Sequence, residues 1–476
     1  MRSSLGWGLT TLLGCNAVLG IPEQVVVLCE QSGDCPGGYC GSDDRCDDQQ
    51  WALRFGDADD QAVAALDYYD GDREGPEPGR LVMVGSFEGQ LDFGEGHRLE
   101  SVDGRDAYVV ALGPDGLPTW SHHFGGPGDQ RATAIDIDIE TGMVHVAGEF
   151  GGDLEIDGTV LPTTSGQAQG FVAQIDPAGS LQWARAFGGT QTLEVRDLVT
   201  VNGAPTVVGS YQGPWTRGPA GAFDSPSAVA GFLVSYDATA TASVSSGFGA
   251  SQSLSPCCVL IDPLTNDVLI GGRFRGDLDT GTAVLSSEGE DGFVFFLVDD
   301  PNGGPRQLSA LHLGEPLQAF GTDSLARLSL ALNVGTDTPG VSIFRLLADA
   351  TTELVRAETP EGSAEIFTLT HNRDNETLVF GQFDGTLDLV EGASLHADDP
   401  DLFVVTIDEQ WRLPPGRAWA FGGTGESTPT GIATDDDGYT FVVGTFDGEL
   451  SLDNGRGAPV LVGEGRRDVF VARLRL

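Results

Sequence analysis

Apolar and polar residues alternate along this chain in short runs, and the runs recur. One example is Ala107-Tyr108-Val109-Val110-Ala111-Leu112, and another is Phe171-Val172-Ala173-Gln174-Ile175. Short β-branched and aromatic runs bounded by Gly, Pro, Asp and Asn predict strands. Turns such as Pro114-Asp115-Gly116, Pro177-Ala178-Gly179 and Asp437-Gly438 join neighbouring runs as hairpins. One phrase punctuates the pattern: Gly, any residue, an aromatic, any residue, Gly, any residue, then Leu or Trp. Its copies carry Gly85, Phe87 and Gly89; Gly148, Phe150 and Gly152; Gly209, Tyr211 and Gly213; Gly272, Phe274 and Gly276; Gly381, Phe383 and Gly385; and Gly444, Phe446 and Gly448. The starts are about 63 residues apart, apart from one gap of 109.

Each period holds four predicted strands, and a four-stranded meander of this length is a propeller blade. The first string is apolar, as at 132–137 and 431–435. The phrase ends the second. An acidic or small residue followed by an aromatic opens the third, as at 106–112, 291–297 and 468–474. The fourth runs from Trp to Phe-Gly, as at 120–125 and 183–188. The predicted fold is therefore all-β, a seven-bladed β-propeller of four-stranded blades, with six or eight blades as alternatives. The 109-residue gap hides a shortened blade, with a first strand near 325–332 and others at 341–347 and 354–356, and no phrase. The chain stops after a third strand and begins its repeats with Trp51-Ala52-Leu53-Arg54-Phe55-Gly56, which has the form of a fourth strand. The N-terminal strand is thus expected to complete the last blade beside 468–476 and close the ring. The glycines of the phrase read as bulge or kink positions and its aromatic as packing between blades, so the phrase is structural.

Residues 51–476 resemble the bacterial seven-bladed β-propeller repeat family abbreviated SBBP, on strings such as Phe187-Gly188-Gly189 and Trp419-Ala420-Phe421-Gly422-Gly423. The resemblance implies an exported or surface protein with no shared enzymatic activity. Fold alone does not give function.

The N-terminus assigns residues 1–14 to a signal peptide: Arg2, then a short apolar stretch too brief to span a bilayer. Leu12-Leu13-Gly14-Cys15 resembles a lipobox, which implies that Cys15 is lipidated and anchors the chain in the cell envelope, at the outer membrane or cell surface. Residues 15–49 form a Cys-rich module in which Cys29, Cys35, Cys40 and Cys46 are expected to make two disulfides, with three pairings open. The propeller then covers 50–476.

Charge narrows the partners. The chain carries 71 acidic residues against 25 basic ones, a formal net charge of −46, which repels nucleic acid. The expected partners are an unknown protein or glycan, with the membrane reached through the lipid anchor only, and the chain is expected to be a monomer. No catalytic signature stands out. Ser451-Leu452-Asp453-Asn454-Gly455 begins like a sialidase box but lacks its Trp, and His122-His123 on one strand point to opposite faces. No cofactor is expected. Calcium is a weak candidate at Asp136, Asp138 and Glu140 and at Asp435 and Asp437, where hard oxygens crowd one turn, although Asp is also a turn former. Cys257 and Cys258, on a predicted first strand, are read as reduced core residues in preference to a vicinal disulfide. The variable arms after each phrase, such as 94–104 and 453–465, are the expected binding face. The functional expectation is a non-catalytic binding scaffold; the alternative is an extracellular polysaccharide hydrolase or lyase with a site in the axial pocket.

Overall fold

The computed structural model describes residues 50–71, 78–163, 167–216, 228–237, 239–279, 284–298, 307–334, 340–346, 352–389, 394–452 and 460–476. The expected signal peptide, the Cys15 anchor and the disulfides of Cys29, Cys35, Cys40 and Cys46 lie outside these residues. Every regular element described is a strand, and no helix occurs among the described residues. The all-β expectation holds.

The strands form successive antiparallel groups of four in a meander. The first sheet has a leading strand Gln61–Tyr69, then Arg80–Phe87, Asp106–Leu112 and an outer strand Pro118–Gly125. The second runs Gln130–Ile137, Val144–Phe150, Ala168–Ile175 and Leu181–Thr190; the third Thr192–Val201, Ala204–Gln212, Ala230–Tyr236 and Ala242–Phe248. The fourth is Ser253–Ile261, Val268–Asp279, Val284–Val298 and Gln307–His312; the fifth Leu317–Thr322, Leu328–Val334, Gly340–Leu346 and Thr352–Glu361; the sixth Ala364–His371, Thr377–Asp388, Ser394–Ile407 and Ala418–Thr424. The last begins Ser427–Thr434, Thr440–Phe446 and Asp468–Leu474. Its outer strand is Trp51–Phe55, antiparallel to the third, from Trp51↔Arg473 to Phe55↔Val469.

The arrangement is propeller-like because the leading strands pack against one another in chain order, and that of the last sheet also meets that of the first. The apolar side chains gather in the seams between consecutive sheets. Val84 and Phe124 of the first sheet meet Ile135 and Phe150 of the second, and Val404 and Phe421 of the sixth meet Val442 and Phe446 of the last. One further cluster joins Phe441 and Val471 of the last sheet to Met83 and Tyr108 of the first. Strands covered on both faces explain why 106–112 reads as one apolar run.

The repeated phrase is the footprint of a bulge. In each leading strand one residue drops out of the ladder: Ala64, Thr133, Arg196, Cys257, Gln318, Phe367 and Thr430. The first glycine of the phrase pairs with the residue just before that bulge, as Val63↔Gly85 and Pro429↔Gly444. A Cβ on Gly85 would lie 2.0 Å from the Ala62 carbonyl oxygen and 2.8 Å from the Tyr108 ring. Close approach, not an unusual φ, excludes a side chain here. The last glycine of the phrase acts differently: Gly89 and Gly448 have φ of 72° and 69°, where residues with a Cβ are strained. The aromatics Phe87, Phe274 and Phe446 are buried against the third-strand rings of Tyr108, Phe293 and Phe470.

One expectation is corrected. The sheet in the long gap is not short of strands: 325–332 is mostly its second strand, and Leu317–Thr322 is a complete leading strand that the sequence reading passed over. What it lacks is the phrase and the arm. The end of the phrase docks onto the neighbouring sheet ahead of the arm. Leu154–Ile156 pairs with the outer strand of the preceding sheet through Ile156↔Phe124, and Glu449–Ser451 does the same through Gly423↔Leu450. The terminal Leu of the phrase is therefore an anchor: Leu91, Leu154, Leu278, Leu387 and Leu450 are at most 1% exposed.

Candidate ligand cavity at the turn face

The turns between first and second strands share one face of the molecule. Asp436 N–H donates to Asp70 Oδ1 at 2.8 Å, Asn266 to Asn202 at 3.4 Å, and Ser324 to Asn375 at 2.7 Å, each linking turns of neighbouring sheets. Near the first and last sheets this face holds a cavity of about 660 Å³, lined by Tyr68, Asp70, Asp115, Arg373, Asp435, Asp436, Asp437 and Arg473 among others. Five carboxylates against two guanidinium groups give it a negative field.

Its floor is rigid. Arg473, from the third strand of the last sheet, lies 4.0 Å over the Tyr439 ring and donates to Asp435 Oδ2 at 2.6 Å, with both charged side chains nearly buried. Asp435 Oδ1 accepts the N–H groups of Asp437 and Tyr439, which folds the turn. Tyr68 stacks on Phe441 with centroids 4.5 Å apart. Burial, then the carboxylates of Asp435 and Asp70, push the Tyr68 hydroxyl above its ordinary pKa, so it stays a neutral hydrogen-bonding group. At the rim, Asp115 accepts from Leu117 N–H at 3.1 Å and Pro114 O accepts from Trp51 Nε1 at 2.8 Å. The start of the propeller chain therefore lies beside the cavity.

Sequence reasoning marked Asp435 and Asp437 and missed the rest. Tyr68, Asp70, Arg373 and Arg473 come from three sheets, and nothing in their local strings announces that they meet. Asp435 spends its carboxylate on the turn and on Arg473. Asp138 Oδ1 likewise accepts Glu140 and Thr141 N–H groups within its own turn, whereas Asp136 Oδ2 reaches Thr200 N–H of the third sheet at 2.7 Å. Asp136, Asp138 and Glu140 thus do not converge, and among the described residues no three His, Cys, Asp or Glu side chains form a cluster able to hold a metal ion. His122 faces Gly179 O and Asp157 while His123 faces Asp106 Oδ2 at 2.6 Å, so the two rings serve different partners.

Three acids stitch the leading strands together. Asp67 Oδ2 accepts Ile137 N–H, Asp136 accepts Thr200 N–H and Asp197 Oδ2 accepts Val259 N–H, each at 2.7 Å and each across a seam. Lost hydration raises the pKa of Asp67 and, with its charged neighbour Asp67, that of Asp136. Asp197 is pushed up to about 7 for the same first reason. These raised acids are tied to backbone amides in the seams and are not among the cavity's lining residues.

Cys257 and Cys258 are joined in a disulfide, which corrects the expectation of two reduced thiols. The bulge explains the difference: Cys257 is out of the ladder, so its backbone is not held to the alternating register of the strand.

No protein-family model matches this chain. It is similar to regulatory protein FlaEY of Caulobacter vibrioides, 26% identical over 369 residues that cover 68% of this chain and 38% of that protein. The chain thus spans well under half of that relative's length. Among solved structures it is similar to the periplasmic gluconolactonase PpgL of Pseudomonas aeruginosa, at 13% identity and a TM-score of 0.45, covering 83% of this chain and 100% of that one. It is also similar to Sqt1 of Chaetomium thermophilum, at 10% identity and a TM-score of 0.40, covering 87% and 98% respectively.

Proposed function

We propose that this chain is a lipid-anchored, exported β-propeller of seven blades, of the SBBP type, which works as a monomeric binding scaffold and receives its partner at the turn-face cavity. The lipobox-like Leu12-Leu13-Gly14-Cys15 and the four closely spaced cysteines support export and anchoring. The unbroken succession of leading strands and the seam between the last and first sheets support the blade count and a closed ring.

The observation that carries the binding reading is the cavity itself: 660 Å³ over a tyrosine floor, with carboxylates in excess. The Tyr68 ring and the carboxylates together suit a cationic group, such as an Arg or Lys side chain presented by a partner protein. A scaffold is favoured over a hydrolase because the acids with raised pKa, which a general acid needs, are spoken for away from the cavity: Asp67, Asp136, Glu149 and Asp197 accept backbone amides across the seams, and Asp468 is held by Glu464 N–H and Arg54.

The test is calorimetric titration of the full chain with an Arg-rich peptide and with neutral oligosaccharides. Saturable peptide binding that weakens in Asp436→Asn/Asp437→Asn supports the reading. Binding of the oligosaccharide alone moves the partner to the glycan class. Release of reducing ends from envelope polysaccharide, lost in the same variant, replaces the scaffold by the hydrolase.

A further inference from the structure

Cys257 and Cys258 sit at the bulge of the leading strand Ser253–Ile261, with Pro256 opposite Gly272 and Cys258 opposite Gly271. The equivalent pairs elsewhere include Ala64-Ala65, Thr133-Ala134, Gln318-Ala319 and Thr430-Gly431. The bulge accepts many side chains, so the fold does not require sulfur there. A bond between adjacent residues, at a sequence separation of 1, closes no chain loop and removes little entropy from the unfolded state, unlike a long-range crosslink. Stapling is therefore not what this pair supplies. Both residues are only half-buried, against the cluster of Leu269, Leu317 and Phe320 between the fourth and fifth sheets. The segment just beyond them is held independently, by the Val259 N–H to Asp197 hydrogen bond at 2.7 Å.

We propose that Cys257–Cys258 is a reversible two-electron redox centre that opens and closes within the intact fold. A thiolate of an external dithiol attacks one sulfur, forms a mixed disulfide and releases the other cysteine as thiolate. The second thiol of the reagent then displaces the attacked cysteine. The dithiol leaves as its disulfide, oxidised by two electrons, and its two protons end on Cys257 and Cys258. Accessibility, not strain, makes the bond exchangeable, and Asp197 keeps the strand in register while it is open.

The experiment treats the natively folded full chain with dithiothreitol, alkylates it with iodoacetamide and maps peptides by mass spectrometry, which separates this pair from the N-terminal cysteines. The expected result is two alkyl groups on the 257–258 peptide after reduction, none before, and none again once the reductant is removed in air. The melting transition should keep a single midpoint in both forms. Alkylation that needs prior unfolding overturns the proposal, as do two free thiols in the untreated chain. The Cys257→Ala/Cys258→Ala variant, which copies the Ala64-Ala65 pair of the first sheet, should melt at the parent midpoint; failure to fold would make the pair structural and end the proposal.

Discussion

In the fifth sheet Leu332 stands opposite Ser342, at the position where the fourth sheet sets Gly272 opposite Phe293. The other sheets repeat the second arrangement, with Gly85↔Tyr108, Gly148↔Phe171, Gly209↔Phe232, Gly381↔Phe403 and Gly444↔Phe470. One large side chain occupies the space over the bulge in every case, contributed by the second strand in one sheet and by the third in the others. A Cβ on Gly272 would lie 2.7 Å from the Phe293 ring.

This exchange predicts a coupled pair. Gly272→Leu alone should destabilise the chain by about 1–3 kcal/mol through overpacking. Adding Phe293→Ser should recover part of that loss, since residues in contact do not act additively. Denaturant midpoints of the two single variants and the double variant measure the coupling. Strict additivity would show that the ring and the glycine do not share the space.

Leu450, at the end of the phrase, is 1% exposed beneath the preceding sheet's outer strand, whereas Val460 on the arm that follows is 50% exposed. Leu450→Ala should therefore cost about 2–5 kcal/mol, and Val460→Ala less than about 0.5 kcal/mol. Equal effects in urea unfolding would mean that the end of the phrase does not secure the seam.

Trp51–Phe55 joins the two ends of the chain. Deleting residues 51–56 leaves Asp468–Leu474 as an exposed edge and opens one seam. The expected outcome is loss of the single cooperative melt, read by circular dichroism. A truncated chain that melts as sharply as the parent refutes the closing role.

Asp197 binds its proton more tightly in the folded chain, with its pKa raised from 3.8 to about 7. The stability it lends is whole below 3.8 and is lost as the pH rises through 7. Asp197→Asn, which cannot ionise, should gain on the parent by about 1–2 kcal/mol between about pH 5 and pH 9 after allowance for partial hydration. Parallel stability curves for variant and parent across that range would show that this carboxyl does not titrate on folding.

Arg473 and Asp435 are 4% and 3% exposed beneath the cavity. Removing one partner strands the other charge, so Arg473→Met should cost about 3–5 kcal/mol. Asp437→Asn, at the exposed rim, should leave the unfolding midpoint unchanged and alter only ligand affinity. A small loss at Arg473 would place the floor's rigidity elsewhere.

The strands were legible because sheet periodicity is local: 106–112 and 468–474 coincide with observed strands. The fifth sheet was misread because its leading strand, Leu317–Thr322, precedes no Gly-aromatic phrase. The missing marker was itself a consequence of packing, since Leu332 and Ser342 reverse the volumes that write the phrase. The cavity was half-visible as Asp435-Asp436-Asp437, but a run of acids in a turn reads the same whether it caps the turn or faces a ligand.

Alternation and turn chemistry act over a few residues, so the chain's own pattern carried the repeat and the strands of the six phrase-bearing units; the pairing of Trp51–Phe55 with the last sheet followed from counting strands per unit. Folding alone settled which carboxylates bind backbone and which line a cavity. It alone brought Tyr68, Arg373 and Arg473 to one place and joined Cys257 to Cys258. Those outcomes depend on contacts between strands some sixty or several hundred residues apart, as when Asp436 N–H meets Asp70 at a separation of 366, and no local pattern encodes a contact of that range.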